Sequence, residues 1–131
     1  MIGSFVMTSG SHEVLELFIE RYLDQDTLTV AVAGEVDIDS AWQLDGALQD
    51  GVARPGVSVV VADLAGVPFL DSTGIRVLLA GHHRAEECGT SLVVTNVQPV
   101  VRRVLEVMAV FTLLTTEHGR VSRDDRPQKA G

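Results

Sequence analysis

The four residues Asp71-Ser72-Thr73-Gly74 place a hydroxyl group between a carboxylate and a glycine. Residues with helical spacing follow them, so they are predicted to begin a helix. Asp and Ser are favoured N-caps because their side-chain oxygens accept hydrogen bonds from free backbone amides. A hydroxyl at this position is also accessible, and a phosphate on it would lie beside unbonded amides and the positive end of the helix dipole. Ser72 is therefore a candidate phosphorylation site, and capping alone is the other interpretation.

A pair of carboxylates, Asp37 and Asp39, follows a predicted strand. This spacing could supply the nucleophile and the acid of a phosphatase-type site, which also needs a metal and a downstream lysine. The only lysine of the chain, Lys129, lies near its end. We therefore interpret the segment as a turn with a helix cap, in which Asp37 can still contact a partner.

The sequence around His82 and His83 could suggest a metal site, because His83 and Glu87 share a helix face. A metal site also needs a ligand from elsewhere, and the sequence identifies none. His82 falls on an apolar stripe and is predicted to pack in the core, and Cys88 is predicted to be a small buried hydrophobe. No metal, cofactor or catalytic group is expected.

The composition and charge exclude some kinds of protein. The chain of 131 residues is 46% hydrophobic and has a net charge of −8, which fits one globular domain and disfavours nucleic acid as a partner. A single cysteine excludes an internal disulfide, and no apolar run is long enough to span a bilayer. We expect a cytoplasmic protein that does not bind membranes.

The periodicity predicts the element order β-β-α-β-α-β-α-β. This order is typical of a three-layer α/β domain whose central mixed, mostly parallel sheet begins with an antiparallel hairpin. The predicted strands are Leu15–Leu23, Leu28–Ala33, Val57–Leu64, Ser91–Thr95 and Phe111–Thr115, and the predicted helices begin at Asp39 or Ser40, at Ser72 and at Pro99. The carboxyl ends of parallel strands meet at one edge of a sheet, so Asp37, Ser72 and Asn96 are expected on one face.

Finer expectations concern the helix faces and the chain ends. Trp42 or Ala41 is predicted to lie on the apolar face of the first helix and Met108 in the core, while Arg102 and Arg103 are predicted to face solvent. The domain is expected to span residues 13–117, with a loose leader at 1–12 and a disordered polar tail at 118–131.

Three segments carry a resemblance to a known family. The segment LAGVPFLDSTGIRVLL resembles the phosphorylation-site segment of bacterial anti-sigma factor antagonists, which are members of the STAS domain family. The segment Ala33–Asp37 is similar to the Gly-Glu-Leu-Asp loop of that family, and Val97–Leu105 to the start of its last long helix. The three motifs occur in order and cover roughly residues 15–116.

The resemblance implies a function. Ser72 would accept phosphate from an ATP-binding anti-sigma factor with serine kinase activity, and a phosphoserine phosphatase would reverse the modification. The unphosphorylated protein, a monomer or weak dimer and not an enzyme, would bind the anti-sigma factor and free a sigma factor. Gly74 would permit close approach, and the implied contact residues are Asp37, Asp71, Thr73, Gly74, Ile75 and Arg76.

One residue departs from the family pattern, since Ala109 stands where a glycine is usual. A left-handed backbone there would cost about 1 kcal/mol. Two other functions remain open: a STAS scaffold subunit of a stress-signalling or lipid-transport complex, which would use the same site for docking alone, and a domain that senses a small molecule or nucleotide.

Overall fold

A computed structural model describes residues 16–116, and the predicted leader and tail lie outside this range, as does Leu15. The described elements are β1 (Phe18–Asp24), β2 (Thr27–Ala33), α1 (Ala41–Ala53), β3 (Val59–Gly66), α2 (Ser72–Glu87), β4 (Ser91–Thr95), α3 (Pro99–Val107) and α4 (Phe111–Thr115). None of the helices within residues 16–116 has the length and apolar character needed to cross a bilayer.

The four strands form one sheet in the order β1-β2-β3-β4. β1 and β2 pair antiparallel as the predicted hairpin, and the turn between them includes Gln25 in a left-handed conformation. β2, β3 and β4 are mutually parallel. The mixed, mostly parallel sheet with an N-terminal hairpin is therefore confirmed, and β3 is a central strand as its apolar sequence predicts.

The main cluster of buried hydrophobic residues lies on one face of the sheet. Alternate residues of β2 are buried, and the strand residues of the core follow the same alternation across the pairing register. These strand residues are Leu28, Val30, Val32, Val60, Ala62, Leu64, Leu92 and Val94, and they form a single cluster with the buried residues of all four helices. The described helices therefore pack as one layer on the sheet, and not as the two layers that a three-layer domain requires.

The predicted apolar stripe of α2 is confirmed. Ile75, Leu78, His82 and Ala85 are buried at the spacing of one helix face, and Leu79 is partly buried against the core. In α1 the buried residue of the first turn is Ala41, whereas Trp42 is exposed and donates its indole N–H to the Asp39 carbonyl at 3.1 Å.

The segment Phe111–Thr115 is a short helix, so its prediction as a fifth strand is wrong. A strand would bury alternate side chains, but Leu114 is the fully buried side chain of this segment. The Thr115 hydroxyl donates a 2.8 Å hydrogen bond to the Phe111 carbonyl, one helical turn away. Five residues are too few for a period of 3.6 to be distinguished from one of 2.

Two predictions of burial near helix ends are also wrong. Met108 is 54% exposed because it lies beyond the end of α3 at Val107, whose fully buried residues are Val101 and Leu105. Cys88 is exposed because it follows the last residue of α2, beyond the buried stripe. Arg102 and Arg103 face solvent as predicted, and Ala109 does have a left-handed backbone, with a φ of 62°.

Candidate functional site

The segments that carry Asp37 and Ser72 are held side by side at the carboxyl edge of the sheet. Val36 and Leu70 form a parallel bridge beyond the ends of β2 and β3. The Val36 amide donates to the Phe69 carbonyl at 3.0 Å, and the Asp71 amide donates to the Val36 carbonyl at 3.1 Å. The bridge places Asp37 and Asp71 one residue further along neighbouring segments, so the predicted common face is observed.

The side chain of Asp71, the N-cap residue, completes the first turn of α2. Its Oδ1 accepts hydrogen bonds from the amides of Thr73 at 2.9 Å and Gly74 at 3.1 Å. Ser72 is the first residue of the helix, and its side chain is exposed. Since Asp71 satisfies these amides, the Ser72 hydroxyl is not needed as a cap and can be modified without loss of the cap hydrogen bonds.

The remaining predicted contact residues of α2 face in different directions. Gly74 and Ile75 are buried, Thr73 is half-buried and Arg76 is exposed. The interpretation of Gly74 as a residue that leaves room for a partner is wrong, because its α-carbon faces the side chains of Leu70 and Val36 inside the protein. Arg76 is four residues after Ser72, so the two lie on the same helix face.

Asp37 organises the turn that leads into α1. Its Oδ1 accepts hydrogen bonds from the amides of Asp39 at 3.0 Å and Ser40 at 3.2 Å. The hydroxyl of Ser40, which is the predicted N-cap, donates to the Glu35 carbonyl at 2.8 Å. The Asp37 carboxylate therefore stabilises the turn, as the sequence predicts. It is also half-exposed.

Asn96 lies at the same edge of the sheet, directly after the last residue of β4. It has a left-handed φ of 58°, and its side-chain amide donates to Asp63 Oδ1 at 3.2 Å. The neighbouring Gln98 amide donates to the Ala65 carbonyl at 2.7 Å. These bonds join the end of β4 to the end of β3, so Asn96 belongs to the framework of the site.

Three large apolar side chains at this edge are exposed, although the sequence did not predict their exposure. Ile38 is 73% exposed, Trp42 is 68% exposed and Phe69 is 43% exposed. Ile38 and Phe69 lie in the two bridged segments, and Trp42 lies in the first turn of α1. A possible signal was the presence of apolar residues in turns that are otherwise acidic. Their exposure could be known only from the packing.

The two bridged segments carry charges of one sign, and Arg76 lies beyond them on the same helix face as Ser72. The segments 34–40 and 67–73 contain four carboxylates and no basic residue. The carboxylates are Glu35, Asp37, Asp39 and Asp71. Within residues 16–116, no three His, Cys, Asp or Glu side chains are grouped closely enough to hold a metal ion.

A comparison with protein families identifies this arrangement of sheet, loops and helices. A family model described as "Mlab, STAS domain" matches residues 20–115, which include all four strands of the sheet almost completely and the whole Ser72 site. The chain belongs to the STAS domain family.

Two proteins similar to this STAS domain are described as anti-sigma factor antagonists. The anti-sigma F factor antagonist of Paenibacillus polymyxa is 25% identical over 100 residues, which cover 76% of this chain and 86% of the relative. The crystal structure of an anti-sigma factor antagonist from Mycobacterium paratuberculosis has a TM-score of 0.67 at 23% identity, covering 84% of this chain and 94% of that one.

A third similar structure is that of the Bacillus cell fate determinant SpoIIAA in its phosphorylated form. It has a TM-score of 0.59 at 17% identity and covers 84% of this STAS domain chain and 97% of the SpoIIAA chain. At these identities the two solved structures establish the fold.

Proposed function

We propose that this STAS domain is an anti-sigma factor antagonist. It binds an anti-sigma factor with serine kinase activity and thereby frees a sigma factor, and phosphorylation of Ser72 releases it from that partner. The observation that carries the proposal is the exposed Ser72 hydroxyl on the first residue of α2, where Asp71 already supplies the cap. The names of the similar proteins support the class of partner.

The modification is a transfer of a phosphoryl group from ATP bound by the partner. The Ser72 oxygen attacks the γ-phosphorus, the new O–P bond forms as the bond to the β-phosphate oxygen breaks, and ADP leaves. The hydroxyl proton passes to a base of the partner. The STAS domain is the substrate in this reaction, and a phosphoserine phosphatase restores the hydroxyl.

The expected effect of the phosphate on binding follows from charge. It adds about −1.5 to −2 charges at pH 7. In the complex Ser72 must face the nucleotide of the kinase, so after transfer the phosphoserine lies opposite the negative phosphates of ADP. Asp71 beside it is also negative, and an enclosed charge without a cation costs several kcal/mol.

The fold itself is expected to tolerate the phosphate. The first turn of a helix favours negative charge, and Arg76 lies one turn further on the same face. Among the proposed contact residues, Asp37, Asp71, Thr73 and Arg76 would meet the partner directly. Gly74 and Ile75 are buried and would act by holding Ser72 in place.

The proposal is tested with the purified serine-kinase anti-sigma factors of the source organism. Incubation with the cognate kinase and ATP should place phosphate on Ser72, as mapped by tandem mass spectrometry. Phosphate on Thr73 or Ser40 with Ser72 unmodified would contradict the assignment.

Calorimetric titration then compares how tightly the unmodified, phosphorylated and substituted proteins bind the anti-sigma factor. Phosphorylated Ser72, and more weakly Ser72→Asp, should bind at least tenfold less tightly than the unmodified protein, about 1.4 kcal/mol. Ser72→Ala should bind as well as the unmodified protein. Equal affinity of all forms would overturn the switch and favour a scaffold that uses the site for docking alone. Circular dichroism of each form checks that the fold is retained.

A further inference from the structure

The large exposed apolar side chains of the described residues fall into three groups. One lies on the edge strand β1 and one on α3 and α4, and the third consists of Ile38, Trp42 and Phe69 beside Ser72. We call this third group the apolar surface. Single exposed apolar residues are common, but several at one place mark an interaction site.

The backbone register places the apolar surface next to the proposed switch. Val36 and Leu70 are bridged, and two residues beyond them along each segment are Ile38 and Ser72. Phe69 directly precedes Leu70, and its carbonyl accepts a hydrogen bond from the Val36 amide. Trp42 is fixed to the same turn through its bond to the Asp39 carbonyl. Ser72 and the apolar surface therefore lie at the same edge of the sheet.

The chemistry of the surface defines what can cover it. Its centre is apolar and includes an indole ring, which is among the side chains that most often dominate binding energy at interfaces. Its surroundings are the four carboxylates of segments 34–40 and 67–73 and the single exposed base Arg76 on α2, so they are negative on balance. A complementary surface has an apolar pocket and a rim of Arg or Lys side chains.

We propose that the apolar surface is the anchor by which this protein binds its partner, and that the partner is a protein surface with an apolar pocket and a basic rim. The proposal rests on the proposed function, since it takes the anti-sigma factor as that partner. The anchor and the switch are separate: Trp42 supplies affinity in every state, and the charge at Ser72 decides whether that affinity suffices.

Trp42 provides a direct probe, because it is the only tryptophan of the chain. Protein labelled with 5-fluorotryptophan should give one ¹⁹F resonance, at a frequency typical of a solvent-exposed indole. Addition of the purified anti-sigma factor kinase that binds the unmodified protein should shift this resonance and remove its sensitivity to H₂O–D₂O exchange.

Substitutions measure the contribution of the anchor to binding. Trp42→Ala should weaken binding to the same kinase at least tenfold, while the ratio of affinities between unphosphorylated and phosphorylated forms stays as in the unmodified protein. Val107→Ala is the matched control: Val107 is 75% exposed and lies on α3, and its removal should change affinity less than twofold. Both side chains are exposed, so circular dichroism should report an unchanged fold for both variants.

The outcomes separate the two proposals. If no anti-sigma factor binds the unmodified protein, the proposed function is overturned and this inference with it. If one binds but leaves the fluorotryptophan resonance unmoved, or if Val107→Ala costs as much as Trp42→Ala, the anchor is elsewhere and only this inference is overturned. An affinity independent of ionic strength would contradict the basic rim.

Discussion

Gly74 packs so closely against Leu70 that a Cβ atom added to this glycine would lie 2.7 Å from Leu70 Cδ1. The same Cβ would lie 2.9 Å from Val36 Cγ1. The first turn of α2 is therefore seated on the two residues that form the bridge between the loops. This contact determines how far Ser72 projects from the domain, because Ser72 is two residues before Gly74 on the same turn.

The first prediction compares two glycines in helices. Gly74→Ala should destabilise the protein by about 1–3 kcal/mol, because the added methyl group must displace core side chains. Gly46 lies within α1 and has nothing within 4 Å of an added Cβ. Gly46→Ala should stabilise by about 0.5–1 kcal/mol, since alanine is the better helix former. Urea unfolding curves measure both, and equal effects of the two substitutions would contradict the role given to Gly74.

The second prediction concerns the cap of α2. Asp71→Ala removes the acceptor for the amides of Thr73 and Gly74 and should cost roughly 0.5–2 kcal/mol of unfolding free energy. Ser72→Ala should stay within about 0.5 kcal/mol of the unmodified protein, because the Ser72 side chain is exposed and outside the cap. Thermal melts of the two variants measure these losses of stability. A larger loss for Ser72→Ala than for Asp71→Ala would make Ser72 a structural residue.

The third prediction concerns Ala109, whose φ of 62° is unfavourable for a residue with a Cβ. Ala109→Gly should raise the free energy of unfolding by about 1 kcal/mol. The control is Ala80→Gly, at an exposed position within α2, which should lower it by a similar amount. If both substitutions destabilise, the backbone at residue 109 relaxes to a right-handed conformation in solution.

The fourth prediction is a titration of Tyr22, the only tyrosine of the chain. The hydrogen bond that its phenol donates to Glu20 raises its pKa above the ordinary value, with smaller contributions from desolvation and from the charges of Glu20 and Asp63. Because the folded-state pKa is the higher one, this bond stabilises the protein below the unfolded pKa of tyrosine and is lost as the pH rises through the folded pKa. Glu20→Gln should lower the pKa, as followed by phenolate absorbance, whereas Glu106→Gln on α3 should leave it unchanged.

Much of the architecture could be predicted because the relevant signals are local. The alternation of apolar residues in β2 and the apolar stripe of α2, with its period of 3.6 residues, indicate which face of each element is buried. This signal does not depend on the other elements. The same holds for Ser72, whose place at the start of a helix follows from its immediate neighbours. Failures occurred where the signal was short. The five residues of α4 carry no readable period, and Cys88 and Met108 stand just beyond the last helical residue of α2 and α3.

The sequence by itself determined the order of the first seven elements and the common edge of Asp37 and Ser72. Only the tertiary structure decided that Gly74 faces the core and that the side chains of Ile38, Trp42 and Phe69 are exposed at the same edge of the sheet. The reason is that these features depend on the bridge between Val36 and Leu70, which joins segments far apart in the chain. Periodicity within a segment reports which residues share a face, but what lies opposite that face is decided by the packing of other segments.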